Sequence, residues 1–248
     1  MSMTTIETKR MRSATGSWFG TAFACTMIAV ALIGFLPSLL KPAGRRAPVS
    51  LLAGAHGVVF SAWLGIFLLQ ARLIAGRQIA LHRRIGGAAA VVAAAMIPLG
   101  YLTSIAMVRR GFDLSGDLRV DHDPAYEVVF PLGDLFTFVV LLTAALSYRR
   151  HPDMHKRLML FANIALMPAP LAHLIGHVRW LAALPGAIIV IPVFLFLLAA
   201  VAREFSVKGR VHPLTWGVAG TMLISGPLRA GVIGPSSAWH SFVNWLAR

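Results

Sequence analysis

The chain has 248 residues, of which 57% are hydrophobic and 13% are charged, and its mean hydropathy is +0.73. This composition is too apolar for a water-soluble domain. A formal net charge of +14 would suit a nucleic-acid-binding protein, but the Lys and Arg residues lie at the ends of apolar segments and form no long basic surface. The composition therefore excludes a soluble enzyme and a nucleic-acid-binding module, and it indicates an integral membrane protein.

Apolar segments long enough to cross a bilayer make up most of the sequence. A helix of about 20 mainly apolar residues covers the roughly 30 Å of hydrocarbon in a membrane. Seven segments meet this requirement: 18–40, 50–71, 86–108, 125–148, 158–178, 181–202 and 213–234. The sequence predicts an all-α bundle of seven transmembrane helices over residues 18–234, with a cytoplasmic segment at 1–17 and a tail at 235–248.

The first of these segments follows Lys9, Arg10 and Arg12, as the core of a signal peptide would. It is too long for a signal core and lacks a convincing cleavage site, so we expect a retained helix.

The distribution of basic residues predicts the orientation of the bundle. With the N-terminus inside, fourteen of the 23 Lys and Arg residues fall in the segments 1–17, 72–85, 149–157 and 203–212. The loop 109–123 on the other side offsets its three arginines with four aspartates. This bias predicts a multi-pass protein of the bacterial inner membrane with its N-terminus inside and its C-terminus outside. Trp239, Phe242 and Trp245 indicate a tail that lies along the outer interface.

A weak internal duplication joins the second and third segments to the fourth and fifth. A shift of 73 residues aligns His82 with His155 and two basic residues after each histidine, which are Arg83 and Arg84, and Lys156 and Arg157. Residues 50–108 and 125–178 therefore suggest a parallel repeat of two hairpins. Selection for basic turns on the cytoplasmic face would explain the same match. In either case these four basic residues are predicted to meet anionic lipid headgroups.

The segments HGVVFSAWLGIFLLQARLIAGRQIALHRRIG and RRHPDMHKRLMLFANIALMPAP resemble a broad group of uncharacterised bacterial polytopic membrane proteins with paired HRRxG and HKRLM motifs. That group is loosely similar to the cytochrome b561 type of bundle, in which pairs of histidines from different helices hold b-type haem. The resemblance covers the second to fifth helices. It implies haem b, with a quinone or another redox partner.

Six polar side chains fall in the outer half of the predicted bundle: His56, Glu127, Asp134, His173, His177 and Arg229. Ionisable groups are costly in hydrocarbon and mark functional sites by default. Glu127 and Asp134 are seven residues apart, which is two helical turns, so they share a face and are candidates for proton handling. Arg229 is expected to extend to the interface, or to pair with one of these two acids.

Three hypotheses on function stay open at this point. The first is a haem-binding electron-transfer protein with His56 and His173 as an outer axial pair and His82 and His155 as an inner pair. The second is a metal-dependent hydrolase acting on lipid, with zinc bound by His56, His173 and His177, because histidines four residues apart on a helix can share one metal. The third is a non-enzymatic assembly, lipid-binding or transport protein. The oligomeric state is not predicted.

Overall fold

The computed structural model describes residues 3–40, 48–111, 123–178 and 189–248, with side chains from Trp18 onward. It confirms the all-α prediction for these residues. The helices are α1 (Met3–Leu40), α2 (Leu51–Ala75), α3 (Ile79–Arg110), α4 (Pro124–Glu127), α5 (Val129–Ser147), α6 (Pro152–Ile164), α7 (Pro168–Gly176), α8 (Val190–Lys208), α9 (Pro213–Leu228) and α10 (Ser237–Leu246).

Six helical segments are long and apolar enough to cross a membrane. They are Trp18–Leu40, Leu51–Ala75, Ile79–Arg110, Pro124–Ser147, Pro152–Gly176 and Val190–Lys208, with mean hydropathies between 1.8 and 2.2. This architecture is that of an integral membrane protein. The third and fifth spans start several residues before the predicted positions 86 and 158. His82 and His155 therefore lie inside α3 and α6 and not in the preceding turns. The first part of the predicted span 181–202 lies outside the described residues.

The last predicted span, 213–234, has a different form from the other six. Helix α9 has only 16 residues and continues into a π-helical turn over Arg229–Ile233, in which the N–H of Gly234 donates to the carbonyl of Arg229 at 2.8 Å. Wide turns of this kind interrupt regular helices and often lie at functional positions. The seven-helix count and the orientation of the termini therefore stay predictions.

Two helical hairpins form the centre of the bundle. Helices α2 and α3 pack against each other, as do α5 and α6, and α3 contacts α5. Helix α1 packs against α2 and α7, while α8 packs against α6 and α9. Trp63 and Phe138 meet edge to face in the core, and the Trp63 indole donates to Asn163 at 3.0 Å. Burying both polar groups as a bonded pair avoids the cost of leaving either one unsatisfied.

Large apolar side chains cover the outside of the same helices. Leu32, Val58, Val91, Phe136 and Ile224 are between 56% and 71% exposed. Such surfaces are unfavourable in water and suit contact with lipid.

Two ends of the bundle can be distinguished. The turn end holds the connections 76–78, 148–151 and 209–212, where Lys208 of α8 reaches Asp153 of α6 at 2.8 Å. The tail end holds α10, which packs on α4. The helix of the fifth span is interrupted after Ile164 and restarts at Pro168, since proline has no N–H to continue a helix but suits its first turn.

Candidate functional site

His82 and His155 meet at the turn end. Each is the fourth residue of its helix, His82 in α3 and His155 in α6. Their ring centroids are 6.5 Å apart, and the ring planes are inclined at 73°. These are the residues that the 73-residue shift aligns, so the structure brings the corresponding histidines of the two hairpins together. We call them the histidine pair.

Hydrogen bonding orients the two imidazoles of the histidine pair. Nδ1 of His155 lies 2.8 Å from the carbonyl oxygen of Ala145, which can only accept, so this nitrogen carries the hydrogen and donates. In the neutral ring Nε2 then keeps its lone pair. The side-chain amide of Gln70 from α2 lies against Nδ1 of His82. Within the described part of the chain, neither Nε2 has a hydrogen-bond partner.

Basic residues follow each histidine, as the sequence indicates. Arg83, Arg84 and Lys156 are exposed, and their contact with anionic headgroups stays a prediction. Arg157 differs, because its Nε donates to Glu204 of α8 at 2.9 Å and its side chain is only 11% exposed. Glu204 also accepts from the hydroxyl of Thr215. The guanidinium of Arg157 is therefore held inside the bundle, since a buried carboxylate attracts it more strongly than solvated headgroups do.

The residues of the predicted outer axial pair, His56 and His173, each contact an aromatic ring, and their pairing stays a prediction. His56 stacks on Phe60 at 4.0 Å between ring centroids, and its Nδ1 lies 3.4 Å from the hydroxyl of Thr103 on α3. His173 is buried with its ring 4.5 Å from that of Phe35 on α1. The two histidines have different neighbours because α7 packs against α1, whereas the side chain of His56 faces α3.

His177, one of the predicted zinc ligands, is hydrogen-bonded to α1. Nε2 of His177 lies 2.9 Å from the carbonyl oxygen of Gly34 and donates to it, so this nitrogen has no lone pair for a metal. Among the residues that the structure describes, no three His, Cys, Asp or Glu side chains are grouped to hold a metal ion. The i, i+4 spacing of His173 and His177 reflects packing against α1.

Asp134 and Arg229 form a buried ion pair near the tail end. The distance from Nη1 to Oδ1 is 2.8 Å, and the two side chains are 13% and 14% exposed. Nη1 also donates to the carbonyl of Phe130 at 2.9 Å, and Nε donates to the carbonyl of Ser225 at 3.2 Å. Of the two expectations for Arg229, pairing with an acid is therefore confirmed and extension to the interface is wrong. In an apolar bundle the nearby carboxylate outweighs distant solvent.

Glycine makes room for this ion pair. A Cβ atom at Gly133 would lie 2.5 Å from Nη1 of Arg229. The contacts around the pair come from Phe130 and Ser225, whereas Glu127 ends α4 before the break at Val128. The predicted role of Glu127 and Asp134 in proton handling stays a prediction.

The tail is attached to the bundle by polar contacts that sequence reasoning missed. His240 of α10 lies 3.0 Å from Asp123, and the Trp239 indole donates to the carbonyl of Ala125 at 2.7 Å. The hydrogen bond to the carbonyl of Ser236, followed by that to Asp123, raises the pKa of His240. Slight burial alone would raise the pKa of Asp123. The hydrogen bonds from the N–H of Tyr126 and from the His240 ring have the larger effect, so the pKa of Asp123 is lowered. The Asp-Pro dipeptide at residues 123–124 is a typical helix start. It indicates that Asp123 caps α4, but it does not indicate the contacts with α10.

Comparison of the chain with protein-family models, curated proteins and solved structures finds no match.

Proposed function

We propose that this integral membrane protein binds one b-type haem between His82 and His155 and serves in electron transfer. The separation of the two rings carries the proposal. Two imidazoles that held one metal ion through a ring nitrogen each would have centroids up to roughly 6 Å apart, because metal–nitrogen distances to histidine are about 2 Å. The observed distance of 6.5 Å agrees with this arrangement.

The hydrogen bond from His155 to Ala145 supports the same role. Histidines that ligate metals almost always donate their other ring N–H to a carbonyl or carboxylate, which selects the tautomer and makes the ligating nitrogen more basic. His155 has this bond through Nδ1, and Nε2 is the nitrogen left to bind iron.

The surroundings of the histidine pair suit a flat, anionic macrocycle. Gly86 and Gly87 follow His82 by about one turn, and a Cβ atom added at either position would meet nothing within 4 Å. A porphyrin edge could therefore approach this face of α3 more closely than it could if side chains were present at these two positions. Arg83 and Arg84 directly follow His82 in the sequence, and Lys156 directly follows His155. Their exposed cations would pair with the propionates of the haem.

A bound haem would supply one-electron chemistry, and the chain would set its potential through the two histidines and their hydrogen bonds. We propose a membrane quinone or another redox protein as the partner. We also propose seven spans in the bacterial inner membrane with the N-terminus inside, which places the turn end and the haem at the cytoplasmic face. The zinc-hydrolase hypothesis has no group of three metal ligands among the described residues.

An absorbance spectrum of the protein purified after expression with a haem precursor tests the proposal. We expect a Soret band, a reduced α-band and a pyridine haemochrome spectrum of haem b. His82→Ala and His155→Ala should each lose these bands, because one histidine no longer has its opposite ligand. His151→Ala is the matched control, since His151 is an exposed histidine at the same end.

Two further outcomes keep the test decisive. His82→Met should retain haem with a shifted α-band, because a thioether can replace one axial imidazole. Absence of haem from the correctly folded parent protein, even after titration with hemin, would overturn the proposal, as would unchanged spectra in both alanine variants.

A further inference from the structure

A second feature of the turn end is a cavity of about 820 Å³ that the histidine pair does not line. It lies where α6 and α9 begin and α8 ends. Its polar lining includes His151, Asp153, Arg157, Glu204, Lys208 and Arg210. Ligand sites in proteins typically measure about 300 to 1,000 Å³, so the cavity is large enough for a small organic ligand.

The charges in this lining favour an anion. Glu204 is bonded to Arg157 and Thr215, and Asp153 is paired with Lys208, so both acids are already neutralised. Arg210 is exposed, and within the part of the chain that the structure describes no carboxylate pairs with it. The lining thus holds three cations and two acids, and Arg210, the cation in excess, has no carboxylate partner among the described residues.

Two helix starts strengthen this preference. Helix α6 begins at Pro152 and helix α9 at Pro213, and both residues line the cavity. The first turn of a helix carries N–H groups without intrahelical acceptors and a partial positive charge. In α9 the His212 side chain accepts from the N–H of Leu214 at 3.1 Å, whereas no side chain caps α6.

From the cavity, its excess cation and its position at the ends of membrane-spanning helices, we propose that it binds a phosphate-bearing anion. Phosphate is the anion that arginine and lysine recognise best in combination, through charge and several N–H donors. The same chemistry is offered by the headgroup of an anionic phospholipid and by a soluble phosphate ester. This inference does not depend on haem, because neither His82 nor His155 lines the cavity.

Binding can be measured with the full chain in nanodiscs that lack added haem. One arm compares phosphatidylglycerol with phosphatidylcholine by native mass spectrometry of retained lipid. The other arm titrates glycerol 3-phosphate and inorganic phosphate in phosphatidylcholine discs and follows thermal stability. Retention of phosphatidylglycerol alone identifies a lipid headgroup, and stabilisation by the soluble ligands identifies a soluble anion; both support the proposal.

Substitution of Arg210 links the binding to this cavity. Arg210→Gln should weaken the binding of the anion about five-fold, a typical effect of one partly solvated charge, and Arg210→Lys should restore most of it. Arg149→Gln, which removes an exposed cation at the same end but outside the cavity lining, should leave binding unchanged. Failure of all three ligands to bind, or equal losses in Arg210→Gln and Arg149→Gln, would overturn the proposal.

Discussion

The two ends of the bundle use polar residues in different ways. At the tail end, Arg229 is surrounded by acceptors from Asp134, Phe130 and Ser225, and His240 is bonded to Asp123. At the turn end, the Nε2 atoms of the histidine pair and the guanidinium of Arg210 are directed to no described group of the chain. Polar groups that satisfy one another stabilise a bundle, whereas groups without a partner are available to a ligand.

This comparison reverses the expectation from the sequence, in which six polar residues of one half of the membrane formed the strongest functional signal. The structure joins two of them, Asp134 and Arg229, in an ion pair, and it places His56 against Thr103 and His177 against the carbonyl of Gly34. The depth of a polar residue in the membrane therefore says less about function here than whether another side chain satisfies it.

The largest effect is expected from breaking the buried pair near the tail end. Asp134→Ala should destabilise the protein by about 3 to 5 kcal/mol, because it leaves the Arg229 charge buried without its counter-ion. The double variant Asp134→Leu/Arg229→Met should recover most of this loss, since it removes both charges. Equilibrium unfolding in detergent with added denaturant measures both changes. A loss below about 1 kcal/mol would mean that water reaches the pair, and the contrast between the two ends would fail.

A smaller loss is expected for the corresponding substitution at the turn end. Glu204→Ala should cost about 1 to 2 kcal/mol. Both side chains are largely buried, but Arg157 lies in the second turn of α6, close to the turn end, and can extend toward water or headgroups once its partner is removed. The same unfolding measurement applies, with Thr215→Val as a control that removes only the hydroxyl bond to Glu204. A cost equal to that of Asp134→Ala would show that both pairs are equally isolated from water.

The smallest effect is expected at the contact between α10 and Asp123. The pKa of His240 is raised in the folded state, so its contribution is complete below the unfolded pKa and is lost as the pH rises through the folded value. The pKa of Asp123 is lowered, so its contribution is present above the unfolded pKa and is lost as the pH falls through the folded value. The contact is therefore strongest between about pH 4 and pH 6.5.

Hydrogen exchange of α10 measures this dependence. Protection, corrected for the intrinsic exchange rate, should fall about two- to three-fold between pH 6 and pH 8, as expected for a solvated pair. His240→Gln should remove the pH dependence while the bond from Trp239 to Ala125 keeps the helix in place. An undiminished dependence in this variant would assign the effect to another group.

More of the fold than of the candidate site could be predicted from the sequence. The all-α architecture and the apolar spans follow from hydropathy, because a bilayer requires helices of a certain length whatever their neighbours are. The 73-residue shift also singled out His82 and His155 as related residues. The partners Gln70, Ala145 and Glu204 carried no signal, since they come from helices whose rotation about their axes depends on packing.

The sequence by itself determined that this chain forms apolar helices, that basic residues collect at the turns, and that two histidines occupy corresponding positions in two hairpins. Only the tertiary structure decided that those histidines meet, that His56 and His173 have different neighbours, and that Arg229 pairs with Asp134. The physical reason is that hydrophobicity along the chain reports the transfer of each segment to lipid, whereas contacts between helices depend on side-chain shape and polar pairing across the bundle.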